Sequence, residues 1–192
     1  MLLEGLKIGF ALTGSFCTIE SVIPEIEKII KEGAEVFPIV SEAVDMFDTR
    51  FGTAEDWKIK LKAITGKSPI STIVGAEPIG PKSFLNVLVV APCTGNTLAK
   101  LANAISDTPV TMACKAHLRN HKPLIIAVST NDGLGVNAKN LGMLMIMKNI
   151  YFVPFGQDAP SSKPNSILAK NELIIPTILE AIKGKQIQPI LM

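Results

Sequence analysis

Histidine, cysteine, aromatic residues and charge are all scarce in this chain. Its 192 residues include two histidines, three cysteines, one tryptophan and one tyrosine, and Phe, Trp and Tyr together make up 5%. Charged residues account for 19%, with a net charge of +2. That balance excludes the strongly basic surface of a nucleic-acid-binding domain. Cys17, Cys93 and Cys114 are odd in number and far apart, which excludes a disulfide framework and fits reduced thiols. No apolar run reaches the ~18 residues of a membrane helix. The longest, residues 141–155, is interrupted by Lys148, Asn149 and Pro154. The first residues carry Glu4 and run straight into a strand pattern, unlike a signal peptide, so the expected location is the cytoplasm.

What the chain does have is apolar content, 47% of residues, with a mean hydropathy of +0.35. Fully buried strands and subunit interfaces are the places such an excess goes. The length suits one domain over residues 1–192, with a C-terminal helix and tail from about residue 166. Strand and helix patterns alternate. Strands are expected over 6–12, 34–40, 84–90, 122–129 and 150–155. Helices are expected over 19–33 (starting near Ser21 because of Pro24), 55–65, 96–106, 108–120 and 137–149, with a last one interrupted near Pro176. Residues 66–83, rich in Gly, Pro and Ser, read as a long connection. This alternation predicts an α/β fold: a three-layer, doubly wound parallel sheet of Rossmann-like type.

In such sheets ligands bind beyond the carboxyl ends of the strands. The loops there share one character. Thr13, Gly14 and Ser15 follow the first strand and Ser41 the second. Pro92, Cys93, Thr94, Gly95, Asn96 and Thr97 follow the central one, and Ser129 to Asp132 the next. Each loop is small, nearly uncharged and rich in hydroxyl or amide groups, and each opens a helix. Helix N-termini offer unpaired N–H groups and a positive dipole end, which suits a phosphate or another anion. The competing reading is plain helix capping, but capping needs one such residue per helix, not four or five.

Three other patterns stand out. Cys114, His117 and His121 share a helix face at metal-ligand spacing but lack a fourth ligand, so no metal site is expected. Residues 133–138, GLGVNA, have the G-x-G-x-x-A form of a dinucleotide fingerprint, although Ser129–Asp132 separate them from their strand. Cys93 heads the central loop at a helix N-terminus, a setting that lowers a thiol pKa, but a cysteine there is more often a small packed residue than a nucleophile. Trp57 and the run Met143, Met145 and Met147 read as core or interface. The small face of Ala99, Ala102, Asn103 and Ile105 suits close packing against another subunit or the sheet.

The segments KIGFALTGS, VFPIVSEAVDMF and APCTGNTLAKLANAISDTPVTMA resemble the family of homo-oligomeric flavin-containing cysteine decarboxylases and their relatives. That family has a Pro-Ala-Ser-Ala-Asn-Thr element where this chain has Pro92 to Thr97. The resemblance, over roughly residues 5–155, implies an FMN site. Gly14 and Ser15 would meet the phosphate. Ser41 would lie by the flavin or its ribityl chain, and Thr94, Asn96 and Thr97 by phosphate and ribityl oxygens. Ser129 would close the far side, with Pro92 and Cys93 completing the loop. The chain departs from the decarboxylases in lacking their histidine before the central strand. It is most similar to members that act as one subunit of an oxidoreductase. For those the resemblance implies a dicarboxylate substrate, a partner subunit carrying the NAD(P) site, and self-association into a homo-oligomer. Two other activities within reach of the resemblance are an autonomous FMN-dependent decarboxylase or flavin prenyltransferase-like enzyme, and a non-catalytic anion-binding scaffold. Lys115, Arg119 and Lys139 are candidate charge partners for a carboxylate.

Overall fold

In the computed structural model, which describes residues 1–192, the apolar runs form strands and the amphipathic segments cover them. The elements in chain order are β1 (Lys7–Leu12), α1 (Phe16–Lys31), β2 (Glu35–Val40), α2 (Glu42–Met46), α3 (Ala54–Thr65), α4 (Ile73–Ala76), α5 (Ile79–Lys82), β3 (Val87–Cys93), α6 (Gly95–Ala102), α7 (Pro109–Leu118), β4 (Leu124–Thr130), α8 (Ala138–Met145), β5 (Ile150–Phe152), β6 (Phe155–Gln157), β7 (Ile167–Ala169) and α9 (Ile174–Ile182). A 3₁₀ turn at Asn171–Leu173 leads into α9.

One seven-stranded sheet runs in the order β2-β1-β3-β4-β7-β6, with β5 also on β4. Strands β2, β1, β3, β4 and β5 pair in parallel, as the alternating pattern predicts. All seven residues of β3 are buried, because helices cover both faces of the sheet. The buried apolar residues form one continuous cluster, from Leu3 to Ala181. No helix is long and apolar enough to cross a membrane.

The departures from expectation have local causes. Helix α1 begins at Phe16, not near Ser21, and carries Pro24 in its interior. A proline there costs about 3 kcal/mol in a helix. Pro24 lies on the solvent side, where water can serve the carbonyl of Glu20, while Ile19, Val22, Ile23, Ile26 and Ile29 bury the opposite stripe. Strand β3 lies three residues later than expected and takes in Pro92 and Cys93. Its register with β4 shifts between Val90 and Cys93, as a residue without an N–H would require. The expected strand at 150–155 is two strands, broken at Val153–Pro154.

The second of these, β6, pairs antiparallel with β7, a strand the sequence pattern does not signal. The resulting hairpin docks antiparallel on Ser129 and Thr130 at the end of β4. Pro176 does not interrupt α9. It sits in the first turn, where no helical hydrogen bond is lost.

Candidate functional site

The strand order reverses between β1 and β3, which opens a crevice beyond their carboxyl ends. Thr13 ties the two strand ends together. Its hydroxyl donates to the Pro92 carbonyl at 2.6 Å and accepts from the Thr94 N–H at 3.0 Å, and its own N–H reaches Pro92 O at 3.3 Å. Thr13 is 1% exposed, so water cannot replace these bonds. Thr13→Val keeps the shape and strands the Thr94 N–H. It should destabilise by about 1–3 kcal/mol. A urea midpoint unchanged from wild type would show that Thr13 is not the clasp.

Two clefts flank this clasp, and Gly14 and Thr94 line both. The first, about 550 Å³, is bounded by Gly14 to Thr18, Thr94, Gly95, Ser129 to Asp132 and the β6–β7 hairpin. Its floor holds a ring of hydroxyls: Ser15 Oγ to Ser129 Oγ at 2.8 Å, Thr18 Oγ1 to Ser129 Oγ at 3.0 Å, and Ser15 Oγ to Thr18 Oγ1 at 3.1 Å. Each hydroxyl has one proton and two acceptor sites, so any of the three can turn its proton toward a ligand. The opening turn of α1 leaves the Phe16 and Cys17 N–H groups without an intrahelical acceptor.

The second cleft, about 430 Å³, is bounded by Thr13, Gly14, Ser41, Glu42, Asn96, Thr97, Lys100 and Thr108, among others. Ser41 Oγ is buried here and has no hydrogen-bond partner. A β-carbon on Gly14 would stand 3.1 Å from Ala43 Cβ, closing the gap between the loops.

Capping explains only part of this. Thr94 Oγ1 does cap α6, accepting from the Thr97 N–H at 3.3 Å. Ser15 and Ser41 stand at N-cap positions, yet neither side chain caps its helix. Their hydroxyls face the clefts instead. The structure thus brings Gly14, Ser15, Ser41, Thr94, Asn96, Thr97 and Ser129 to one end of the sheet.

Pro92 and Cys93 are buried in β3 and line neither cleft. Burial raises the Cys93 thiol well above its ordinary value, with Cys114 adding to the effect, so Cys93 is a small packed residue and not an activated thiol. Cys114 is buried and its thiol is likewise raised by burial. His117 is buried and bonds the Pro123 carbonyl through Nε2 at 3.0 Å, whereas exposed His121 lies beyond the end of α7. No group of three or more His, Cys, Asp or Glu residues is placed to hold a metal ion.

GLGVNA lies in the turn that joins β4 to α8, with Gly133 packed against β7. A β-carbon on Gly133 would collide with the side chain of Ile167 in β7. Lys115, Arg119 and Lys139 line neither cleft. The cations that do are Lys163 in the first and Lys100 in the second, the latter paired with Asp107 at 2.7 Å. Isolated lysines in or beside loops carry no sequence signal. Thr18 and Ser166, which also line the first cleft, were equally silent in the sequence.

Residues 2–168 match the Flavoprotein family. The chain belongs to the Flavoprotein family. It is 52% identical over 190 residues to the B-type subunit of dipicolinate synthase of Bacillus subtilis (strain 168), covering 99% of this chain and 95% of the relative. The crystal structure of the B-type subunit of dipicolinate synthase from Bacillus halodurans C superposes with a TM-score of 0.92 at 48% identity, over 100% of this chain and 98% of that one. The fold is shared more widely. Burkholderia xenovorans DmrB, solved in complex with FMN, has a TM-score of 0.62 at 20% identity, over 77% of this chain and 87% of that one.

Proposed function

We propose that this chain is the flavin-binding B-type subunit of a dipicolinate synthase. It would act with an A-type subunit that carries the NAD(P) site to oxidise a dihydrodipicolinate to dipicolinate during sporulation. The likeness to the B-type subunit of the Bacillus subtilis enzyme over nearly the whole chain supports the pathway step. The observation that carries the flavin assignment is the buried, partnerless hydroxyl of Ser41, facing a cleft shared by the loops after β1 and β3. Buried polar groups in native proteins are nearly always paired, so an orphan on a cleft wall marks a place for a ligand oxygen or ring nitrogen.

The donor set fits FMN. Gly14, Ser15 and the opening N–H groups of α1 offer a small, positively polarised seat for a phosphate. The Asn96 amide and the Thr97 and Thr94 hydroxyls suit ribityl and phosphate oxygens, and Ser129 closes the wall beside Ser15. When bound, FMN supplies a two-electron acceptor. The chain's own part is to hold and orient it, and to exclude water at the crevice. Aromatising the dihydropyridine ring removes two electrons and two protons. Neither cleft contains a histidine for that proton traffic, which weighs against an autonomous decarboxylase of the histidine-dependent kind. Exposed Val136, Met143 and Ile146 give an apolar surface for the homo-oligomer that the reading includes.

FMN titration into the purified protein, followed by flavin absorbance and fluorescence, tests the reading. Saturable binding at micromolar concentration or tighter is expected. Asn96→Leu, an exposed substitution, should weaken it about 10- to 100-fold, the worth of one or two bonds to a charged or polar ligand. A folded wild-type protein that binds no FMN would leave an anion-binding scaffold in place of a flavin subunit.

A further inference from the structure

We infer that the β6–β7 hairpin builds the far end of a dicarboxylate site in the first cleft, with Lys163 and Ser166 receiving one carboxylate and the Thr18 and Ser129 hydroxyls the other. The inference rests on the proposed substrate class. Ser166 is 3% exposed, lies on the cleft wall one residue before β7, and its hydroxyl has no hydrogen-bond partner. Lys163 is the only Lys, Arg or His on the cleft wall.

The two acids beside it do not cancel it equally. Asp132 is already engaged, accepting from Thr130 Oγ1 at 2.5 Å and from Asn137 Nδ2 at 2.8 Å. Asp158 stands 3.9 Å from Lys163 Nζ, an ion pair too long for a hydrogen bond, so all three ammonium donors are free for a ligand.

The loop that carries these groups is held in place. Gln157 Nε2 donates to Pro164 O at 2.8 Å, the Lys163 N–H to Ala159 O at 2.7 Å, and the Leu134 N–H to Asn165 O at 3.0 Å. Across the cleft stand the Thr18 and Ser129 hydroxyls, 3.0 Å apart, beside the phosphate seat at Ser15. A small rigid molecule with an anionic group at each end meets a cation and hydroxyl at one wall, and two hydroxyls at the other. A monocarboxylate can satisfy only one of the two.

Calorimetric titration of the full-length protein with pyridine-2,6-dicarboxylate and with pyridine-2-carboxylate, with and without saturating FMN, tests this. The wild-type protein should bind the dicarboxylate one-to-one and at least about tenfold tighter than the monocarboxylate. Lys163→Met should weaken the dicarboxylate about 10- to 100-fold and largely erase the preference, Lys163→Arg should keep part of it, and Ser166→Ala should cost several-fold. FMN affinity should stay within about twofold in all three. Dicarboxylate affinity unchanged in Lys163→Met, no dicarboxylate binding by folded wild-type protein, or a parallel loss of FMN in Lys163→Met would each overturn the assignment. The last would give the lysine to the flavin phosphate. If wild-type protein binds no FMN but binds the dicarboxylate through Lys163, the flavin reading fails and this one stands.

Discussion

Gly95→Ala should abolish ligand binding and lower stability by about 2–6 kcal/mol, against the usual direction for a glycine in a helix. A β-carbon at Gly95 would lie 2.5 Å from Thr130 Oγ1, 2.6 Å from Asn137 Nδ2 and 2.8 Å from Asp132 Oδ1. These atoms cannot simply step aside, because they are bonded to one another. Thr130 and Asn137 both donate to Asp132, and Asn140 donates to Asn137 at 2.8 Å. Asn137 and Asn140 are buried. Overpacking costs about 1–3 kcal/mol, and breaking a buried polar network adds about 1–3 kcal/mol. In a chain of this length each kcal/mol lowers the melting temperature by about 2–4 °C, so a drop of roughly 4–24 °C is expected.

Gly142→Ala is the contrast. Gly142 is exposed in α8 with nothing within 4 Å of the added carbon, so alanine there should stabilise by about 0.5–1 kcal/mol. Thermal melts of the two variants, with FMN titrations on each, give opposite signs if Gly95 is where the β4–α8 turn closes on α6. A Gly95→Ala protein that melts and binds like wild type would remove that turn from the site.

The β1, β2, β3 and β4 core was readable because buried parallel strands are continuous apolar runs, and the helices between them have an apolar stripe. The loops beyond them were readable for a related reason. Small hydroxyl and amide residues crowd together after Leu12, Cys93 and Val128, where one capping residue would end a strand. What failed to show depends on contacts that are distant in sequence. Pro24 reads as a helix start, yet it is carried inside α1 because Ile19, Val22 and Ile26 bury the opposite face. Pro92 reads as the end of β3, yet Thr13, 79 residues away, holds its carbonyl in the sheet. Strand β7 is three residues long and follows a Pro- and Ser-rich stretch, so only its pairing with β4 and β6 defines it. Lys163 and Ser166 join the cleft through that hairpin, and nothing in their local sequence marks them.

His117 should make the protein lose stability as the pH falls below neutral, by about 2 kcal/mol between pH 7.5 and pH 5 and roughly 3 kcal/mol by pH 4. Its imidazole is 1% exposed, and burial depresses its pKa from 6.5 to about 4. The hydrogen bond to Pro123 pulls the other way, and the charge of Lys122 adds to the depression. Above pH 6.5 the ring is neutral in both the folded and the unfolded chain, and its contribution is fully present. Between 6.5 and 4 the unfolded chain takes up a proton that the folded one refuses, so each pH unit favours unfolding by up to about 1.4 kcal/mol. Below 4 both forms are protonated and the loss levels off.

His117→Gln keeps a donor that can reach the Pro123 carbonyl but cannot titrate. It should destabilise at pH 7.5 by about 1–2 kcal/mol through altered packing, while flattening the dependence between pH 7.5 and 5. Carboxylates also titrate near the lower end of this range, so the difference between the two urea series isolates the histidine. Parallel pH curves for wild type and His117→Gln would mean that the ring accepts its proton without leaving the core.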